Sequence, residues 1–230
     1  MIIKYGDQDI HLPDDPDVTG WFEDEAEIRE SYWRVQADDV AMDIGCHIGG
    51  YTLPALAAGA TVYAIDPSAG YTATLARLFV ANKDSLPGHL IIINEALAEE
   101  GGYAPAFRAA LDAAPYPEHH AAAAASFSTL DSLARRMRLS RLDWIKIDVE
   151  GAELGILRGG MNTLRWFKPQ LLIEDHTDVY PFVAAMESER HCFELLQSTG
   201  YTVNKVRYSG HLTPDRTFWV CNPVTGDENE

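Results

Sequence analysis

Asp143-Trp144-Ile145-Lys146-Ile147-Asp148-Val149-Glu150-Gly151-Ala152-Glu153 reads as a buried strand that stops in a carboxylate and turns at once into a helix. Trp144, Ile145 and Ile147 form its apolar body, Asp148 and Glu150 sit where it leaves the sheet, and Gly151 loosens the turn into a helix over residues 152–157. Open α/β sheets place their ligands at that edge. Alone, an acidic strand end also suits a helix cap or a solvated turn, so the rest of the chain has to decide.

Roughly a hundred residues upstream, Val40-Ala41-Met42-Asp43-Ile44-Gly45-Cys46-His47-Ile48-Gly49-Gly50 repeats the design: a strand, a glycine loop, then a helix rich in Leu and Ala. Glycines belong where backbone turns tightly beside a ligand, and the helix start behind them offers free N–H groups. The glycines do not follow the G-x-G-x-x-G spacing of a dinucleotide loop. Asp43 adds a carboxylate that an amino-acid ammonium group favours. S-adenosylmethionine therefore fits better than NAD, with Asp43, Gly45, Cys46, His47 and Gly49 as candidate contacts.

A strand at 61–65 ends in Asp66-Pro67, about twenty residues past the glycine loop, where a Rossmann-type sheet holds ribose hydroxyls on an acid. Asp66 also suits an N-cap for a helix over 68–82, and the two roles are compatible. A third strand, 90–93, runs into Asn94-Glu95-Ala96-Leu97, which places Glu95 and Ala96 beside an adenine ring. A fourth, 170–173, ends in Glu174-Asp175-His176 at the same edge.

These stretches, in this order and at these separations, resemble the FkbM-like family of S-adenosylmethionine-dependent methyltransferases from about residue 40 to 175. Residues 145–153 match its most specific segment, and Ser128-Thr129-Leu130-Asp131-Ser132-Leu133 its lead-in. Where the family usually reads Gly-Ala-Asn this chain has Gly45-Cys46-His47, and the ribose acid is Asp66 instead of Glu. The resemblance implies a class I methyltransferase fold, about seven mostly parallel strands with an antiparallel last strand and helices on both faces. It also implies O-methylation of a small hydroxylated acceptor, such as a sugar, glycolipid or polyketide.

Transfer to an alcohol needs the acceptor proton removed. Asp148, Glu174 and His176 are the candidate catalytic residues, and two arrangements stay open. Either His176 is the base and a carboxylate orients it, or Asp148 with Glu174 or Asp175 binds a magnesium-like ion that lowers the acceptor pKa. Glu174 and Asp175 as caps of the next turn is the plain alternative.

Composition bounds the rest. A chain of 230 residues buries roughly 70 to 75% of its unfolded surface, enough for one core. The expected division is an extended segment and helix over 1–39, one catalytic domain over 40–225 and a disordered tail over 226–230. No apolar run is long enough to span a membrane and the start is no signal peptide, so a cytoplasmic protein is expected. Three cysteines without metal-binding spacing read as reduced thiols. A net charge of −17 argues against nucleic acid as substrate, since a polyanion is held by a basic face. The one basic cluster, Arg135, Arg136, Arg138 and Arg141, reads as a solvated surface or a grip for a phosphate or acidic partner.

Residues 21–36 read as one amphipathic helix with Phe22, Glu25, Ile28, Tyr32 and Val35 along one side, packed on the sheet or lying over the cofactor. The irregular stretch 101–125, with His119, His120 and five consecutive alanines, is the expected cover of the acceptor. Two other functions remain open, a dinucleotide-dependent oxidoreductase and a methyltransferase fold kept as a binding subunit.

Overall fold

The segment around Asp148 lies at the centre of a seven-stranded sheet. A computed structural model describes residues 1–99, 126–176, 189–210 and 216–224, and the sheet is built from β3 (Val40–Ile44), β4 (Thr61–Ile65), β5 (His89–Ile93), β8 (Trp144–Ile147), β9 (Gln170–Asp175), β10 (Tyr201–Tyr208) and β11 (Arg216–Pro223). Its order is β10-β11-β9-β8-β3-β4-β5. The five strands β5, β4, β3, β8 and β9 run parallel, while β11 is antiparallel to both β9 and β10. The last strand is therefore the antiparallel one, inserted beside β9.

Period-two alternation divides the strands between two cores, as strands buried on both faces require. Ala41, Val62, Ala64 and Leu172 face a first cluster with Phe22, Ile28, Leu56 and Leu75. Met42, Ile44, Ile65, Leu171 and Ile173 face a second with Leu133, Leu154, Leu157, Leu164 and Leu196. The helices divide the same way. On the first side lie α1 (Pro16–Asp24), α2 (Ala26–Tyr32), α3 (Thr52–Ala57) and α4 (Ala69–Ala81); on the second lie α5 (Leu130–Arg136), α6 (Glu153–Gly159), α7 (Met161–Phe167) and α8 (Glu189–Ser198). Consecutive strands β3, β4 and β5 and their mates β8 and β9 thus open their C-terminal ends along one edge.

Two small pairings flank the sheet. The hairpin β1 (Ile2–Tyr5) and β2 (Gln8–His11) is tied to the end of α4 by Asn82, which accepts from His11 N at 2.6 Å and donates to His11 O at 2.9 Å. The short parallel pair β6 (Ala96–Leu97) and β7 (Phe127–Ser128) brings Phe127 to the cofactor edge.

Several expected elements change. The single helix over 21–36 is two helices, α1 and α2, which begin at Pro16 and break at Glu25, where ψ is 10°. The break has a tertiary cause: Arg216 of β11 pulls on both Asp24 (2.7 Å) and Glu25 (2.6 Å), and the Tyr208 hydroxyl donates to the Asp24 carbonyl. The second helix ends at Tyr32 because Trp33 turns into the core and donates Nε1–H to Tyr51 O at 3.1 Å. Ser68, not Asp66, caps α4, its Oγ accepting from Tyr71 N at 3.4 Å. Residues 101–125 and the tail over 226–230 lie outside the described residues, and of the helix that the sequence predicts over 180–198 the part 189–198 is described and is helical. No described helix is long and apolar enough to cross a membrane.

Candidate active site

A cavity of about 290 Å³ opens at the C-terminal edge, walled by the glycine loop, Asp66 to Ser68, Glu95 to Leu97, Phe127, the Asp148 strand end, and Trp21, Phe22 and Glu25 from the N-terminal helices. The glycine loop is fixed by its own backbone: Gly45 N and Cys46 N both donate to Ile65 O, at 2.8 and 3.1 Å. Gly45 has φ +79°, and a Cβ there would lie 1.7 Å from the Asp148 carbonyl oxygen. Only glycine permits this contact between the two strand ends. Gly49 faces inward, where a Cβ would meet Leu75 at 2.5 Å, so it serves packing and does not line the cavity.

Asp66 joins the loop to the next helix. One carboxylate oxygen accepts from His47 N at 3.0 Å, the other from Ser68 N at 2.8 Å, leaving each a further acceptor direction toward the cavity. Burial nevertheless pushes its pKa up. His47 is in the left-handed region, φ 49°, and its ring lies edge-on between Tyr71 at 4.0 Å and Trp21 at 5.8 Å. Pro67 and Ala96 line the wall. Glu95 is held by Ser128 (2.8 Å) and Arg136 (2.7 Å); its slight burial works the other way, but Arg136 and Ser128 keep its carboxyl below the usual range. Cys46 is buried, and burial pushes its thiol well up, which suits a packing role.

Asp43 is placed differently from the sequence expectation. It is fully buried behind the wall, accepting from the Thr52 hydroxyl at 2.6 Å with Lys146 Nζ at 3.6 Å. Burial raises its pKa despite Lys146. Its job is to position Lys146, and no contact with an ammonium group of a ligand follows from this position.

Lys146 was not singled out as a functional residue from the sequence, although a lysine between two isoleucines of a buried strand is a visible signal. It is 4% exposed and donates to Gly45 O at 3.1 Å and Asp148 at 3.0 Å. Burial opposes its charge, but Asp148, Asp43 and Glu25 outweigh it and hold the ammonium firmly protonated. Asp148 in turn is pushed up by burial and held below the usual carboxylate range by Lys146 and His176. An ionised carboxylate therefore faces the cavity beside the glycine loop.

Behind it lies a second layer. His176 Nδ1 lies 2.8 Å from Glu153 Oε1, and its Nε2 lies 3.5 Å from Glu150, 3.8 Å from Glu174 and 3.9 Å from Asp148. Burial disfavours its charge, yet Glu153, Glu174 and Glu150 raise its pKa well above the ordinary value. Glu174 is pushed up to about 8, first by burial and then by Asp148. Neither His176 nor Glu174 lines the cavity. Arg216 ties this layer to the N-terminal helices, reaching Glu25 at 2.6 Å and Glu174 at 3.5 Å.

The expected metal ligands are only partly gathered. Asp148 and Glu174 have oxygens within 4.8 Å of each other and of Glu25, but Asp175 is not in that group, because successive strand residues face opposite ways. Asp148, Glu150 and His176 form a second group of that size. The first does not suit a divalent ion, since Arg216 and Lys146 already compensate its carboxylates at 2.6 to 3.5 Å. In the second, Asp148 already carries the Lys146 contact at 3.0 Å and His176 Nδ1 is engaged by Glu153 at 2.8 Å.

From the sequence alone no catalytic or binding role attaches to Glu25, Lys146, Glu153 or Arg216. Glu25 did show as an acid on the apolar face of a helix. Nothing in the sequence marks Arg216.

The methyltransferase FkbM domain matches residues 43–203 of the chain. Among solved structures, a methyltransferase FkbM from Methylobacillus flagellatus is 15% identical with a TM-score of 0.57, over 81% of this chain. The chain spans 44% of that protein's length. The magnesium protoporphyrin IX methyltransferase of Synechocystis is similar in its S-adenosylmethionine-bound form (13% identity, TM-score 0.51, 90% of this chain and 76% of that one) and its S-adenosylhomocysteine-bound form (13%, 0.53, 96% and 90%). No curated protein matches the chain. The domain match covers most of the chain, the sheet carries its glycine loop and acidic strand ends at one edge, and the protein belongs to the FkbM methyltransferase family.

Proposed function

We propose that the protein transfers a methyl group from S-adenosylmethionine to a hydroxyl of a small acceptor. The observation that carries this reading is the ionised Asp148, set in the cavity wall against the glycine loop and held by Lys146 at 3.0 Å. S-adenosylmethionine, when bound, supplies an electrophilic methyl on a sulfonium. The residues present fit it: the loop from Gly45 to Ile48 lines the cavity, Asp66 retains acceptor capacity for ribose hydroxyls, and Ile65, Leu97 and Phe127 give apolar walls for a purine.

Asp148 then accepts a hydrogen bond from the acceptor hydroxyl, orienting its oxygen and drawing off proton density. Orientation alone contributes on the order of 7 to 11 kcal/mol. A direct base role for His176 has its position against it, since it lies behind the cavity wall, and the surrounding carboxylates of Glu153, Glu174 and Glu150 favour its protonated form. It acts through Asp148, as a buried positive charge that keeps this carboxylate ionised. Compensation of the acidic cluster by Lys146 and Arg216 supports a reaction without a divalent ion.

The acceptor is a small molecule such as a sugar or polyketide on this reading. A net charge of −17 and the carboxylates of Glu25, Asp66, Glu95, Asp148 and Glu150 in the wall disfavour a polyanion. Two measurements test the proposal. S-adenosylhomocysteine should raise the melting temperature while NADH does not; protection by NADH alone would favour an oxidoreductase. Methyl-labelled cofactor offered with hydroxylated glycosides and polyketides should label an oxygen, and labelling of nitrogen or carbon alone overturns the O-transfer assignment.

A further inference from the structure

The four arginines that stand together in sequence separate in the fold. Arg136 is bound to Glu95 at 2.7 Å, and Arg141 is bound to Asp39 at 3.0 Å and Asp143 at 2.7 Å. Among the described residues Arg135 reaches only the Ser132 hydroxyl, at 3.1 Å. Among the described residues, Arg138 has no side-chain partner, and the same holds for Arg165 of α7. Arg135, Arg138 and Arg165 line one groove of about 440 Å³ between α5 and α7, which shares no lining residue with the first cavity. Leu139 and Phe167 form its apolar floor, and Trp166, 82% exposed, stands on its rim.

The single carboxylate of the groove, Asp131, offsets at most one of these three cations and forms no ion pair with them among the described residues. Asp131 is spent on the start of α7, accepting from Thr163 N and Oγ1 at 2.8 and 2.7 Å and from Asn162 Nδ2 at 2.7 Å. A chain with a net charge of −17 therefore keeps three guanidiniums against one carboxylate in one place, beside the most exposed aromatic ring among the described residues. Tryptophan and arginine are the residues that carry binding energy in protein interfaces. Small-molecule sites bury most of their ligand, whereas this groove leaves its indole in water.

We propose that this groove docks an acidic, amphipathic segment of a partner polypeptide, with its apolar side chains on Leu139, Phe167 and Trp166 and its carboxylates paired to the three arginines. A discrete acidic segment is favoured over nucleic acid or an anionic bilayer. Those extended polyanions would also lie across the acidic remainder of the surface, while charges beyond about 8 Å are screened at physiological salt. The inference does not depend on the reaction assigned to the cavity.

The test is fluorescence anisotropy with a labelled peptide of glutamate and leucine at helical spacing, using the full chain. Wild type should bind saturably and lose affinity as salt rises. The exposed-charge variant R135E/R138E/R165E should bind at least about tenfold more weakly, and W166A several-fold. Melting temperature and S-adenosylhomocysteine binding of each variant check that the fold persists; if the triple variant fails that check, R165E and W166A alone decide. No binding by wild type, or equal binding by folded variants, overturns the proposal. So does tighter, arginine-dependent binding of a DNA duplex or phosphatidylglycerol vesicles.

Discussion

The part of the site proposed to hold the cofactor and the part proposed to carry the reaction are built by opposite means. In the first, Asp66 is satisfied by His47 N and Ser68 N, 19 and 2 residues away, and the glycine loop bonds to the neighbouring strand through its backbone. In the second, Asp148, Glu174 and His176 depend on Glu25 and Arg216, which lie 191 residues apart in sequence and 2.6 Å apart in space. A site held by local backbone is already shaped before it meets its ligand. One held by mutually compensating buried charges is sensitive to every member, because removing a partner leaves an uncompensated charge.

The comparison breaks first, if it breaks, at Asp148. Asp148→Asn should lower turnover by roughly two to four orders of magnitude while S-adenosylhomocysteine affinity by calorimetry changes little. A parallel loss of both would place Asp148 in the cofactor half. Gly45 is where the halves touch, so Gly45→Ala should harm both: a Cβ 1.7 Å from the Asp148 carbonyl, at positive φ, costs roughly 2 to 6 kcal/mol in packing and backbone strain. Denaturant unfolding measures it, and near-wild-type stability would mean the strand ends are farther apart than described.

Asp66→Ala sharpens the cofactor side. Loss of a charge-assisted pair to ribose is worth roughly 1.5 to 3 kcal/mol, about ten- to a hundredfold in affinity, with kcat at saturating cofactor nearly unchanged. Unchanged affinity in the folded variant removes the ribose assignment.

A smaller effect separates the halves by pH. Burial lifts Glu174 from 4.5 to about 8, so the folded protein keeps a proton that the unfolded chain releases. Its contribution to stability is complete below 4.5 and is lost as pH rises through 8. His176, raised well above 6.5, acts in the same sense, fully below 6.5 and fading as pH climbs through its folded value. Asp148 runs the other way, its contribution present above 3.8 and lost as pH falls. The melting temperature should therefore decline as pH rises from about 4.5 to about 8, and Glu174→Gln should flatten that decline. The smallest expected effect is none: turnover in the presence of chelator should equal that without it, and restoration by magnesium after chelation would reinstate the metal arrangement.

The sequence by itself determined the sheet and the cofactor edge. Strand ends in Asp43-Ile44-Gly45, Asp66-Pro67, Asn94-Glu95 and Asp148-Val149-Glu150 are local signals, because a strand's apolar body, its terminal carboxylate and the glycine after it act through neighbours in the chain. Tertiary structure decided which carboxylates face the cavity. Asp43 and Asp148 look alike in sequence, yet one is sealed under Lys146 and Thr52 while the other lines the wall, a difference set by which side of a buried lysine each occupies. It also decided that an expected single helix breaks at Glu25, since the force that breaks it comes from Arg216 on the last strand. Buried charges must find partners wherever the fold brings them, and their pairing over such distances leaves no trace in spacing or periodicity.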